Sequence, residues 1–316
     1  MRSRLSHTLG TLGQEILLVV VILALFAVVG SVNARFLSQH NLTSIFVGNA
    51  YIAVAAIGMS LVIISGNIDV SIGALIGVLA VISGLLATNG YPIWLAWLAP
   101  LVLGALINTL VGCLIAYAKV PSIIATLAML SILSGGLITF TGGRWISGLP
   151  AGYQLAQFRL LDVPSPVWFM IGMTILAALL MRYTAFGRSV YAVGSNAEAA
   201  RASGISHAAT VVKVFAIHGA IGGVAAVLFA TQLQVIQSTV PVGLELVIIT
   251  ASVVGGVSIL GGVGTVFGST LAAILFAAIG SSLIFLNVSA YWLRAVQGVL
   301  ILATVLADMA RRRRTG

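Results

Sequence analysis

The chain has 316 residues, 60% of them hydrophobic and only 7% Asp, Glu, Lys or Arg, with a formal net charge of +9. An average soluble protein is roughly 25% charged, so this composition excludes a water-soluble surface and requires lipid as the solvent. With every backbone polar group to be satisfied inside the bilayer, helices are the expected solution and the fold class is an all-α polytopic membrane protein.

Ten apolar stretches approach the ~20 residues that cross a bilayer as a helix. They run over about 16–33, 44–64, 71–88, 93–117, 121–141, 166–181, 211–231, 244–260, 263–286 and 289–307. Glycine supplies 35 residues, and small residues let helices approach closely in lipid. The spacings Gly73 to Gly77 and Gly264 to Gly268 fit generic close packing better than a dedicated dimer seam.

An even span count puts both termini on one side. Arg2, Arg4, Lys119, Arg182, Arg188, Arg201, Lys213 and Arg311 to Arg314 then make eleven basic groups there, against four opposite, Arg35, Arg144, Arg159 and Arg294. That asymmetry predicts cytoplasmic termini and makes the basic tail an anchor rather than a nucleic-acid patch. Arg2 and Arg4, the apolar run from Ile16, and Val32 and Ala34 also have the form of a signal peptide with a cleavage site; its removal would leave nine spans and termini on opposite sides. The single Cys113 lies inside the fourth span as a small packing residue and excludes an intramolecular disulfide.

No phosphate-binding glycine loop, zinc-binding H-E-x-x-H or nucleophile elbow occurs. The four histidines, His7, His40, His207 and His218, lie far apart without ligand-spaced neighbours. Neither a metal, a cofactor nor a catalytic residue is expected, and any ATP hydrolysis would fall to another chain.

Four polar positions within the spans or at their edges carry a cost that function can explain. Asp69 in "SGNIDVSIG" follows a break at Gly66 and Asn67, and Glu245 in "PVGLELVII" follows Pro241 and Gly243. Each can cap the helix it opens or contact a transported solute. Asn108 and His218 are interior to their spans, where an interhelical hydrogen bond is expected. The two acids sit five spans apart, and an odd offset inverts direction, as in an inverted repeat.

The segment 142–165 is the expected external loop, in which Arg144, Trp145, Tyr153 and Arg159 are candidates for docking a partner or for an interfacial aromatic belt. The three glutamines of "TQLQVIQST" at 231–239 can line a polar vestibule or solvate a loop. The segment 182–210, on the other side, holds the hydrophilic island "GSNAEAARASGI". Ser195 and Glu198 have capping-box spacing, Ala199, Ala200, Arg201 and Ala202 favour helix, and Gly204 supplies a stop. A helix of about two turns does not persist alone in water, so it is expected to pack against something.

"AFGRSVYAVGSNAEAARASGI" resembles the cytoplasmic coupling segment of permease subunits of bacterial ABC sugar importers of the ribose type. "LVIISGNIDVSIGALIG" and "VGLELVIITASVVGGVSILGGVGTVFGS" resemble two further elements of that family in the same order, so the likeness covers nearly the whole chain. "KVPSIIATLAML" and "TGGRWISGLPAGY" look nearest to permeases of autoinducer-2 and rhamnose importers, while Asn67, where ribose permeases usually have Gly, leans away from ribose. The resemblance implies a single permease domain over 1–316 with a type II ABC importer-like bundle in the inner membrane. It implies as partners a cytoplasmic ATP-binding pair, a periplasmic or extracellular sugar-binding protein and a second permease chain, identical or not. Gly194, Ser195, Glu198, Ala199, Ala200, Arg201 and Gly204 would form the coupling element. An ion-coupled secondary transporter using Asp69 or Glu245 as a proton site is the competing class, and a membrane enzyme a third.

Overall fold

A computed structural model describes residues 2–289 and 291–315, with side chains except at 2–12, 307, 308 and 311–315. Arg2, Arg4 and the run Arg311 to Arg314, which weigh in the charge asymmetry, therefore have side chains outside the described residues. Twelve α-helices are present among the described residues: α1 Arg2–Val32, α2 Gln39–Ile64, α3 Ile72–Thr88, α4 Ile93–Ala116, α5 Ser122–Thr141, α6 Ser165–Tyr183, α7 Ala185–Ser195, α8 Ala197–Ala202, α9 His207–Ala230, α10 Leu244–Val254, α11 Val266–Phe285 and α12 Trp292–Thr315. Seven are long and apolar enough to cross a membrane, and α3, α10 and the 292–306 part of α12 are shorter apolar helices.

Every expected span contains a helix, but the 244–260 stretch does not stay helical. The helix ends at Val254, because Gly255 to Gly264 turn the chain with Gly256, Gly261, Gly262 and Gly264 at positive φ. Hydropathy cannot register that break; glycine's access to left-handed backbone produces it. At 1.5 Å per residue the 11-residue α10 reaches only about half a bilayer.

Capping side chains or prolines stand at most helix starts. Ser38, Thr184, Asn196, Ser206 and Thr265 each accept a first-turn backbone N–H, and Pro92, Pro121 and Pro164 stand at the N-caps of α4, α5 and α6. Fixed φ and a missing donor suit proline to helix starts.

The core is organised around α2, which packs on α6, α9, α10 and α11, while α4 lies along α9. A Cβ on Gly104 or Gly219 would strike the other glycine's carbonyl, and one on Gly223 would strike the backbone at Pro100 and Leu101. Backbone against backbone is how lipid-solvated helices gain packing without a hydrophobic drive. Gly73 and Gly77 serve the same end, facing Glu245 and Val240, whereas Gly264 lies in the turn before α11 and is not part of a helix seam.

Pro100 inside α4 cannot donate to the carbonyl of Ala96. Ser83 of α3 fills the vacancy, its hydroxyl donating to Ala96 O at 2.7 Å and meeting the Tyr153 hydroxyl at 2.8 Å. Tyr153 is fully buried, and burial pushes its phenol up to about 12, against a lowering effect of the Ser83 hydrogen bond. It remains a neutral partner well above physiological pH, and its contribution to stability, whole below pH 10, is lost as pH rises through about 12. Ser83→Ala orphans both the Ala96 carbonyl and the Tyr153 hydroxyl, so a loss of about 2–4 kcal/mol is expected. Tyr153→Phe leaves Ser83 on Ala96 and should cost about 1 kcal/mol; thermal melts of the purified chain compare the two.

Candidate functional site

The chain's two ends differ in build. At one end, the 142–164 loop pairs with the 231–243 segment through an Ile146–Ile236 bridge, and Ser238 donates to the Arg144 carbonyl. Of the docking candidates, Arg144, Trp145 and Arg159 are exposed there, with Arg159 reaching back to the Asp162 carbonyl at 3.4 Å. Tyr153 is a correction: it fills the core below the loop and has no surface to offer. The aromatic that looked interfacial is the one with a buried hydroxyl partner. Of the glutamines, Gln232 donates to the Val47 carbonyl, whereas Gln234 and Gln237 are exposed.

The other end holds the hydrophilic island, built as two helices rather than one. The α7 helix runs through Ser195, and Asn196 caps α8 by accepting from Ala199 N at 2.9 Å. The expected Ser195 to Glu198 capping box is therefore absent. Asn196 wins because its extended backbone (φ −160°, ψ 104°) aims the carboxamide at the first turn. Glu198 stays exposed in that first turn without a hydrogen-bond partner among the described residues, where its charge complements the helix dipole. Gly204 turns the chain at φ 80°. Ala199 and Arg201 are exposed, but Ala200 is buried within the chain itself.

The α7 helix is seated on a junction of three backbones. Gly262 N donates to the Ile64 carbonyl at 2.8 Å, the Ser195 hydroxyl reaches Gly262 O at 3.4 Å, and Tyr191 donates to Gly264 O at 2.8 Å. A Cβ on Gly194 would collide with Ile64 O, and one on Gly261 would stand 3.0 Å from Gly66 Cα. The end of α2, the end of α7 and the loop after α10 thus meet where only glycine fits.

Just beyond Gly66 the chain enters the interruption between α2 and α3. Asp69 there is wholly buried, its Oδ1 accepting from Ser71 N at 2.8 Å and from the Ser71 hydroxyl. Its Oδ2 accepts from Asn108 Nδ2 of α4 at 3.1 Å and lies 3.3 Å from His218 Nε2 of α9. That last contact has ion-pair distance but lacks hydrogen-bond alignment, leaving His218 Nε2 and Nδ1 and Asn108 Oδ1 otherwise unpartnered. Gly58 makes room for the imidazole, since a Cβ would stand 2.5 Å from Nδ1. The carboxylate therefore serves α3 locally and ties it to α4 and α9.

Glu245 does not join this cluster. It is partly exposed in the first turn of α10, against Gly73 in the first turn of α3, after a left-handed Gly243 (φ 82°). The segment before it passes Val240 beside Gly77, and Val242 is 84% exposed. Sequence patterning marked the two breaks; it carried no signal that Gly194, Gly66 and Gly262 meet.

Two interrupted helices starting side by side within a bundle are the arrangement of membrane transport proteins, and the fold is that of a multi-pass membrane permease. The chain belongs to the family described as "Branched-chain amino acid transport system / permease component", matched over residues 41–305. It is similar to the Autoinducer 2 import system permease protein LsrC of Salmonella typhi, 36% identical over 93% of this chain and 85% of that protein. The LsrC proteins of Escherichia coli O157:H7 and E. coli strain K12 / DH10B are 37% and 36% identical, each over 93% of this chain and 86% of the relative. No solved structure matches the chain at a significant level.

Proposed function

We propose that the chain is the membrane-spanning permease subunit of an ATP-binding-cassette importer that moves a sugar or sugar-like molecule into the cytoplasm, with the autoinducer-2 class favoured by its relatives' names. It is a translocation subunit and not an enzyme; a pair of cytoplasmic ATP-binding subunits supplies hydrolysis and an external binding protein supplies the solute. The observation that carries this is α7–α8, an exposed Glu198–Ala199 tip whose root is wedged between the two interrupted helices. A push on α8 would reach Gly66, at the entry to α3, and the Gly261–Gly262 turn leaving α10.

The path itself runs past the paired starts of α3 and α10. Irregular backbone and a carboxylate at membrane depth do not face lipid, so the exposed Val242 and the partly exposed Glu245 border water or a second permease chain. On this reading Glu245 is nearest the solute, and Asp69, Asn108 and His218 hold the path's frame. Arg144, Trp145 and Arg159 form the face offered to the binding protein, and both termini lie in the cytoplasm.

The test is uptake into proteoliposomes holding this chain with an ATP-binding pair and a binding protein of the same import system. Internal accumulation that requires ATP and the binding protein supports the proposal. Uptake driven by a proton gradient with no ATPase present would instead make it an ion-coupled secondary transporter, with Asp69 or Glu245 as the proton site.

A further inference from the structure

A cavity of about 520 Å³ lies where the last turn of α6, the start of α7 and the first turns of α9 come together. Leu180, Phe186 and Ile217 give it an apolar wall, and Ser189, Thr210 and Lys213 a polar one. It opens at the ends of two membrane-crossing helices, Ser165–Tyr183 and His207–Ala230. The apolar wall continues along α6 in the exposed Leu176 and Leu179.

The polar wall is positive and unneutralised. Lys213 is exposed and has no acidic partner, the Asp69–His218 contact being the sole one of a basic side chain with a carboxylate at ion-pair distance among the described residues. Arg188 precedes Ser189, and Arg182, also exposed, packs its guanidinium 5.5 Å above the Tyr183 ring. The two hydroxyls donate inside their own helices, Ser189 to Ala185 O and Thr210 to Ser206 O. They therefore present free oxygen lone pairs to whatever enters.

We propose that this cavity binds an anionic phospholipid of the cytoplasmic leaflet, its phosphate on Lys213 and its acyl chain along Leu180, Ile217 and Leu176. Basic pockets between membrane helices on the cytoplasmic side suit such headgroups. A glycerol headgroup also supplies hydroxyl donors for Ser189 and Thr210, which a choline headgroup lacks. The apolar wall is what distinguishes a lipid from free phosphate as the ligand.

The site bears on the junction described above. Phe186 and Ser189 belong to α7, and eight residues beyond Phe186 the same helix carries Gly194 into the contact with Ile64 and Gly262. A bound lipid fixes the membrane end of that lever, so its loss loosens α7 while leaving the ten membrane helices in place. This inference uses the cytoplasmic orientation proposed above but does not depend on which solute is carried.

The full chain purified in detergent is titrated with phosphatidylglycerol, phosphatidylcholine or inorganic phosphate while its thermal midpoint is followed. Phosphatidylglycerol should raise the midpoint saturably, and the other two should not. Lys213→Gln should weaken the lipid's apparent affinity about fivefold, the factor set by about 1 kcal/mol per basic group at a membrane surface; Lys213→Arg should retain it and the distant Arg294→Gln should leave it unchanged. Equal stabilisation by phosphatidylcholine, an equal response to free phosphate, or an unchanged response in Lys213→Gln each overturns the site. So does protection of Lys213 from amine-reactive labelling by the ATPase but not by phosphatidylglycerol, which would assign this surface to a protein. ATP-driven uptake is scored separately, so a failure here is distinct from failure of the permease reading.

Discussion

Asp69→Leu will lower the stability of the purified chain by about 2–4 kcal/mol, the cost of leaving the buried donors that Asp69 accepts from without a partner. The leucine leaves Asn108 Nδ2 and His218 facing an apolar group at a site with no water access, and removes the acceptor for Ser71 N at the mouth of α3. Asp69→Asn keeps an acceptor for Ser71 but sets an amide where Oδ2 stood, so an intermediate loss of about 1–3 kcal/mol is expected. The double variant Asp69→Leu with His218→Leu should recover part of the loss of the single one, since the buried imidazole is then no longer left facing an apolar group. Thermal melts of all three in one detergent provide the comparison. A strictly additive double variant would mean that Asp69 and His218 do not hold each other.

Gly194→Val will abolish uptake while the chain still inserts into the membrane. Its Cβ would collide with the Ile64 carbonyl, which is already occupied by Gly262 N, so α7 must lift off the junction. Overpacking of this kind costs about 1–3 kcal/mol locally, too little to unmake a bundle whose helices are held by lipid and by one another. ATPase activity that persists without uptake would be the signature of a severed connection. Normal uptake by this variant would show that nothing passes through the junction. Ala200→Trp, by contrast, intrudes on the buried face between α7, α8 and α9, so it reports on folding of the island rather than on a partner's cleft.

Length and hydropathy made ten helices legible, because a lipid-solvated helix needs a long apolar run and little else in these stretches. They failed at α10, where the run continues through Gly255 and Gly256 although the helix does not. Composition cannot separate a glycine that packs, such as Gly268, from one that turns the chain, such as Gly264. The polar residues were visible as exceptions, but not their association. Asp69, Asn108 and His218 come from three distant segments and meet only because the Gly104–Gly219 contact draws α4 and α9 together. The island's cap fell to Asn196 rather than Ser195 because the choice depends on one residue's backbone angles, which neighbouring propensities do not fix. Tyr153 looked like a surface aromatic until Pro100, by freeing a carbonyl for Ser83, created a buried place for its hydroxyl.

The most direct test of the central claim is a cross-link from the exposed tip of α8. Ala199→Cys is placed in a chain whose single cysteine, Cys113, is changed to alanine, and the chain is assembled with its ATPase and treated with a short thiol cross-linker. The account predicts a covalent adduct to the ATPase whose yield changes with bound nucleotide, and loss of uptake once the adduct forms. An assembled complex that gives no adduct from position 199, or that transports normally after a bulky reagent has modified it, would contradict the assignment of α7–α8 as the coupling element.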